Sequence, residues 1–314
     1  LETEHDNIRA ALAWALEGEG EGDELARLPA ALFYFFYIRA HISEGRDWVR
    51  AWLARPDRVS PSVRAELLKA AGALAHAQGD HAEAARQYNA CLELSRTEGL
   101  KVIEARTLAN LAVLAHERED LDLADRHYEA AAAAFEALGD SWATAALIGN
   151  RSSLAQDRGD PERAQELATV SLRLLREVGD TRGIAMSLVN LAEFDIQAGR
   201  SEPARIGACE ALEESTKVGD KELIAYSIQT LGDSLTHSGE MERAVTLWAA
   251  ADSIRRDVGI DTRNASSPSH LACLEATRRA IGARWDPCWE AGARLSVGDA
   301  IAMARSTCEQ KTSD

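Results

Sequence analysis

EARTLANLAVLAHEREDLDLADRHYEAAAAAFEAL, Glu104–Leu138, reads as two helices joined by a short acidic turn. Small residues stand where two helices must approach closely: Ala112 and Ala115 in the first, Ala124 and Ala131 in the second. Leu108, Leu111 and Tyr128 fill the space between them. The pattern returns at a displacement of 40 residues in either direction. Ala84, Ala124, Ala164, Ala204 and Ala244 share one phase, and Tyr88, Tyr128 and Trp248 follow it by four residues. Leu68, Leu108, Ile148, Leu188 and Ile228 mark a third phase. Gly79-Asp80, Gly159-Asp160, Gly199-Arg200 and Gly239-Glu240 punctuate the series, with Glu119-Asp120 as its non-glycine member. A fixed period of this kind predicts a solenoid: each helical pair carries an apolar stripe that it cannot bury alone, so it stacks on its neighbours.

The order of Leu108, Leu111, Ala112, Ala115, Ala124, Tyr128 and Ala131 resembles the tetratricopeptide repeat (TPR) in its longer variants. The usual repeat has about 34 residues, so each helix here is expected to be close to a turn longer. The resemblance implies an all-α, right-handed, TPR-like superhelical solenoid of helix-turn-helix repeats, closed by a helical C-terminal cap.

Composition narrows the function. A formal net charge of −16 argues against general affinity for nucleic acid, whose phosphates require Lys and Arg. The longest apolar run, Ala30 to Ile38, is far short of a membrane span. No secretory signal opens the sequence. The five cysteines, Cys91, Cys209, Cys273, Cys288 and Cys308, are scattered and lack metal-ligand spacing. Cys91 takes a small-residue phase and reads as a buried, reduced thiol. These features point to a soluble cytoplasmic protein. The first residue is Leu, which leads us to expect a fragment of a longer chain.

Three regions follow. Residues 1–58 hold an amphipathic helix, LETEHDNIRAALAWALE, a Gly/Glu-rich loop, and a degenerate repeat in phase with the rest (Leu28, Trp48, Ala51). In this part Asp23 is expected to cap a helix, and the aromatic run Phe33–Tyr37 to be covered mostly by residues 1–17. Residues 59–260 hold five clearer repeats, with first helices near 61, 101, 141, 181 and 221 and second helices near 81, 121, 161, 201 and 241. Residues 261–314 begin with a linker at Asp261–Ser269, continue as short helices, and end in the tail STCEQKTSD. A solenoid needs an atypical unit at its end, and this is the expected cap.

Both ends carry a more specific resemblance. LETEHDNIRAALAWAL resembles the helix that follows the winged-helix part of bacterial signal-transduction ATPases, the AfsR-like and maltose-activator-like transcription regulators. HISEGRDWVRAWLA resembles the stretch that opens their TPR-like sensor, with His41 in place of its first Gly, and CWEAGARLSVGDAIAMA resembles its closing segment. The resemblance implies a sensor arm that binds a small-molecule inducer, a peptide or a protein in its concave groove and biases an N-terminal ATPase module. That module lies outside this sequence, which has no G-x-x-x-x-G-K-[ST] phosphate loop. Two other readings are a constitutive protein-docking scaffold and a peptide-pheromone receptor.

Asn110, Asn150 and Asn190 share one phase of the first helices and are predicted to form a ladder on the concave face. An amide both donates and accepts, which suits pairing with an extended peptide backbone. The Asn-Leu-Ala pattern resembles that of kinesin light chain, where such a ladder binds peptide. The alternative is that these amides tie neighbouring helices together. Arg151 breaks an apolar phase held by Leu111, Leu191 and Leu231, and needs either an acid such as Glu193 or Asp195 or a ligand anion. His76, His116, Met186, Glu193, Tyr226 and Asp233 also map to the concave face. The acids Glu193 and Asp233 predict a groove that favours neutral or cationic ligands, with Arg151 as its one anionic subsite. No metal site, cofactor or catalytic constellation is expected, so the function read here is binding rather than catalysis.

Overall fold

The turns explain the period. Asp80, Asp120 and Asp160 each accept a hydrogen bond from the backbone N–H three residues on, at Glu83, Leu123 and Arg163, and so cap the helices that follow. The residue before each cap adopts the left-handed conformation that reverses the chain; it is glycine at 79 and 159 but Glu119 in the middle repeat, with φ of 60°. In the computed structural model of the protein, residues 4–17, 22–38, 41–236, 238–258 and 267–309 are described. Among them all regular structure is helical.

The first helices of the five clear pairs are α5 (Pro61–Ala77), α7 (Lys101–Glu117), α9 (Ser141–Asp157), α11 (Thr181–Gln197) and α13 (Lys221–Thr236). The second helices are α6 (His81–Thr97), α8 (Leu121–Ala137), α10 (Pro161–Val178), α12 (Ser201–Val218) and α14 (Met241–Asp257). The alanines of the repeating phase, Ala84, Ala124, Ala164, Ala204 and Ala244, are all fully buried, as close helix contact requires. Two glycines mark where the aromatic phase presses hardest. A Cβ on Gly72 would lie 2.5 Å from the Tyr88 ring, and one on Gly232 would lie 2.7 Å from that of Trp248.

The chain divides into two compact units, Leu1–Leu154 and Ala155–Asp314. In the first, α1 (His5–Glu17), α2 (Gly22–Ala31), α3 (Phe33–Ile38) and α4 (Ile42–Leu53) precede the repeats. Leu12 and Ala15 of α1 share a core with Phe35, Phe36, Trp52 and Leu67, so α1 does cover part of the aromatic run. The side chains of Tyr34 and Tyr37 lie outside the described residues. Asp23 does not cap α2: it lies inside the first turn and accepts the Ser60 backbone N–H at 2.6 Å, fixing α2 to the start of α5.

In the second unit the period ends after α14. Most of the expected linker, residues 261–266, and the end of the tail, residues 310–314, lie outside the described residues. Then α15 (Pro268–Ile281), α16 (Trp285–Ala293) and α17 (Val297–Glu309) pack on α12, α13 and α14. Cys209 of α12 and Cys308 of α17 form a disulfide, a pairing that their 99-residue separation gave no reason to expect. Cys91 is a free thiol, fully buried, with Sγ 3.2 Å from Thr107 Oγ1.

Candidate functional site: the inner helices of each unit

In the first unit the inner helices line one groove, α5 at Ser62, Glu66, Lys69, Ala70 and Ala73, α7 at Val102, Arg106, Ala109 and Asn110, and α9 at Trp142, Ala143, Ala146 and Leu147. Such spacing lines a helix on a single face. Together with α2 and α3 they enclose this groove of about 930 Å³. Ala73, Ala109 and Ala146 give it room; Phe33, Phe135 and Trp142 wall it; Glu66, Lys69, Arg106 and Asn110 supply its polar groups. Asn110 is half-buried and belongs to the lining, whereas Asn150, on the same phase of α9, is exposed. Asn190 belongs to the second unit, where it is half-buried on α11.

The charge of this groove reverses the sequence-based expectation. Burial lowers the Lys69 pKa, and the neighbouring Arg106 lowers it further. Glu66 lies 3.7 Å from Arg27, and Lys101 is 3.1 Å from Glu104. The acids that made the groove look anionic, Glu193 and Asp233, stand on α11 and α13 in the other unit.

Arg151 does not meet Glu193 or Asp195, nor does it stand as an anion subsite. Its Nε donates to Asp125 Oδ1 at 3.0 Å, because it projects toward the second helix of the preceding pair, where that carboxylate stands. Asp195 is taken by Arg200, whose Nε donates at 2.7 Å. His116 is half-buried and meets Tyr128 edge-on at 6.2 Å. His76 turns to Glu117 at 2.5 Å.

In the second unit Glu193, Tyr226 and Asp233 gather around Arg255, and the cap covers Asp233. His270 of α15 lies over α13, with Nδ1 2.7 Å from Asp233 Oδ1, and Trp248 meets the His270 ring edge-on at 5.4 Å. Asp233 is only 3% exposed. Arg255 of α14 stacks its guanidinium 4.6 Å from the Tyr226 ring centre and is 4% exposed, and its Nε and Nη2 have no hydrogen-bond partner among the described residues. Burial, and then the charge of Asp233, push the Glu193 carboxyl up to about 7, against an opposing pull from Arg255. Burial also raises Asp233, while His270 holds it down.

Sequence reasoning missed Lys69, Arg106, Arg255 and His270. The first two had a signal. Lys69 shares its phase with Ala109, Gly149 and Val189, and Arg106 shares its phase with Ala146, Met186 and Tyr226, so each is a lone cation in its row. A metal-compatible trio also occurs, His5, His41 and Glu44, with ligand atoms within 4.8 Å of one another. Its carboxylate is already held by Arg9, which donates from Nε at 2.8 Å and from Nη2 at 2.9 Å and is the main reason the Glu44 pKa falls to about 2.

No protein-family model and no curated protein matches the chain. Solved structures do. The apo form of RapI is 13% identical with a TM-score of 0.66, over 98% of this chain and 92% of that one. A Rap protein complexed with competence and sporulation factor is 12% identical with a TM-score of 0.61, over 90% of this chain and 77% of that one. NprR in complex with its cognate peptide NprX is 13% identical with a TM-score of 0.59, over 98% of this chain and 91% of that one. At these identities the likeness establishes the fold, a TPR-like helical repeat. Among the described residues no helix is long and apolar enough to cross a membrane.

Proposed function

We propose that the chain is the ligand-reading arm of a cytoplasmic, ATPase-driven transcription regulator. It binds a small inducer or a peptide on its inner helices and passes that event to a nucleotide-binding module. The observation that carries this reading is the groove of about 930 Å³ in the first unit, of a size that holds a drug-sized molecule or a short peptide. Asn110 supplies it with an amide on a helix packed on both sides, so donor and acceptor are oriented before binding and the ordering cost is small. The resemblance of residues 1–16 to the helix that follows the winged-helix part of such regulators, and of residues 41–54 and 288–304 to the opening and closing segments of their sensor, supports the ATPase context. Binding rather than catalysis is the role proposed for this groove.

A second reading, a peptide receptor working without an ATPase partner, is favoured by two of the similar structures. The Rap protein was solved with competence and sporulation factor, and NprR with its peptide NprX.

Thermal-shift screening of the chain against small metabolites and short peptides tests the common core of both readings. Hits should slow backbone hydrogen exchange in α5, α7 and α9, and Asn110→Ala should weaken them about fivefold, the worth of one hydrogen bond. Hits that protect only other surfaces and ignore the substitution would refute the assignment. ATP alone should give no shift, and ATP binding in the micromolar range would break the proposed division of labour.

A further inference from the structure

On a chain of formal net charge −16, the groove of the first unit gathers cations. Lys69 of α5 and Arg106 of α7 stand on adjacent inner helices and both belong to its lining. Neither has an ion-pair partner among the described residues. The single carboxylate of the lining, Glu66, stands 3.7 Å from Arg27. Two like charges held together at a partly desolvated wall repel each other, and an anion seated between them would relieve both. Beside them lies an apolar surface: Trp142 is 52% exposed and Val102 47%, large values for such side chains in a groove wall. The groove runs across three inner helices. Neighbouring helices are roughly 8–10 Å apart, so it is long enough for about five or six extended residues.

We infer that this groove takes a short peptide through a carboxylate, with Lys69 and Arg106 gripping the carboxylate, Asn110 pairing with the adjoining peptide unit, and an aromatic or aliphatic neighbour lying on Trp142 and Val102. The inference rests on the ligand-binding reading above and names its ligand class. It excludes the neutral or cationic ligands that the acidic composition suggests. Guanidinium and ammonium contribute differently to the grip. Arg106 offers a planar pair of donors that fixes the carboxylate's orientation, and Lys69 a compact charge that adjusts to it. The carboxylate has two sources, the C-terminus of the peptide or an Asp or Glu side chain, and the two are separable by experiment.

The probe is a positional-scanning library of dye-labelled hexapeptides, made once with free and once with amidated C-termini, read by fluorescence polarisation. Selected peptides should carry a Phe, Trp, Leu or Ile beside a carboxylate. Loss of binding on amidation assigns the C-terminus, and loss on Asp→Asn or Glu→Gln assigns a side chain. Lys69→Gln with Arg106→Gln should weaken the best peptide at least about tenfold, and removing the carboxylate from the peptide should cost little more in that variant. Circular dichroism checks that the variant is folded, and Arg106→Gln alone, at an exposed position, gives the same direction of change without risk to the core. Selection of neutral or basic peptides, or undiminished affinity in the double variant, would overturn the carboxylate assignment and leave the sensor reading standing. A library from which nothing binds would overturn the peptide assignment, while the small-inducer reading is decided separately by the metabolite screen.

Discussion

Glu193→Gln should stabilise the protein at pH 8 several times more than at pH 5. The carboxyl lies among Asp233 and Arg255 in the second unit, and burial followed by the Asp233 charge lifts it from an ordinary 4.5 to about 7. A raised carboxyl pKa means that folding favours the protonated form. Below pH 4.5 both folded and unfolded chains are protonated there, and ionisation costs nothing. Between 4.5 and about 7 the unfolded chain releases its proton while the folded chain retains it, so stability falls as pH rises; above that window the full cost is in place. At about 1.4 kcal/mol per pH unit, the cost has a ceiling of about 3 kcal/mol. Glutamine has the same shape and no charge to desolvate, so it removes that cost only where glutamate is ionised. Urea denaturation of both proteins at pH 5 and pH 8, followed by tryptophan fluorescence, measures the difference. An equal gain at both pH values, or none at pH 8, would show that the Glu193 carboxylate is solvated as an ordinary surface group.

Ala164→Leu overpacks a fully buried helix contact and should cost roughly 1–3 kcal/mol, read as a lower thermal midpoint. Gly72→Ala sets two effects against each other. The better helix former gains about 1 kcal/mol, but its Cβ would meet the Tyr88 ring at 2.5 Å, and that ring is only 1% exposed and cannot easily withdraw. The clash wins, and a net loss of about 1–2 kcal/mol is expected in urea melts; a more stable variant would mean that Tyr88 moves freely. Cys308→Ser opens a loop closed across 99 residues, and the chain-entropy model puts the loss at up to about 4–5 kcal/mol under oxidising conditions. With reductant present, variant and parent should melt alike.

The fold was legible because one period governs both the sequence and the packing. Ala84 through Ala244 recur where helices touch, and a residue that must be small for that reason stays small in every pair. The same logic placed Asn110 on the inner face of its helix. It failed where contacts leave the period. Arg151 finds Asp125 on the neighbouring second helix, a choice set by side-chain reach and not by phase. Asp233 has the phase of an inner-face residue, yet α15 follows no period, and nothing in the repeat announces that His270 will cover it. The groove's charge was misread for a related reason. Net composition averages over the whole surface, whereas Lys69 and Arg106 act as two residues at one place. The Cys209–Cys308 bond joins a repeat to the cap, which is the pairing that a comparison of repeats with one another cannot reveal.

That bond also decides how the end of the chain carries a mechanical load. A pull on the end of α17 enters through Cys308, crosses one covalent bond into Cys209, and leaves along α12 toward the N-terminus. The helices α13, α14, α15 and α16 sit inside the closed loop and bear no tension, however hard the terminus is drawn. In the reduced chain the same pull would strip α17 from α12, α13 and α14 by breaking packing contacts and side-chain bonds such as Arg305 to Glu213. Oxidation therefore moves the point of anchorage some hundred residues inward along the chain, and whatever is tethered to this end is held by a covalent link in one state and by surface contacts in the other.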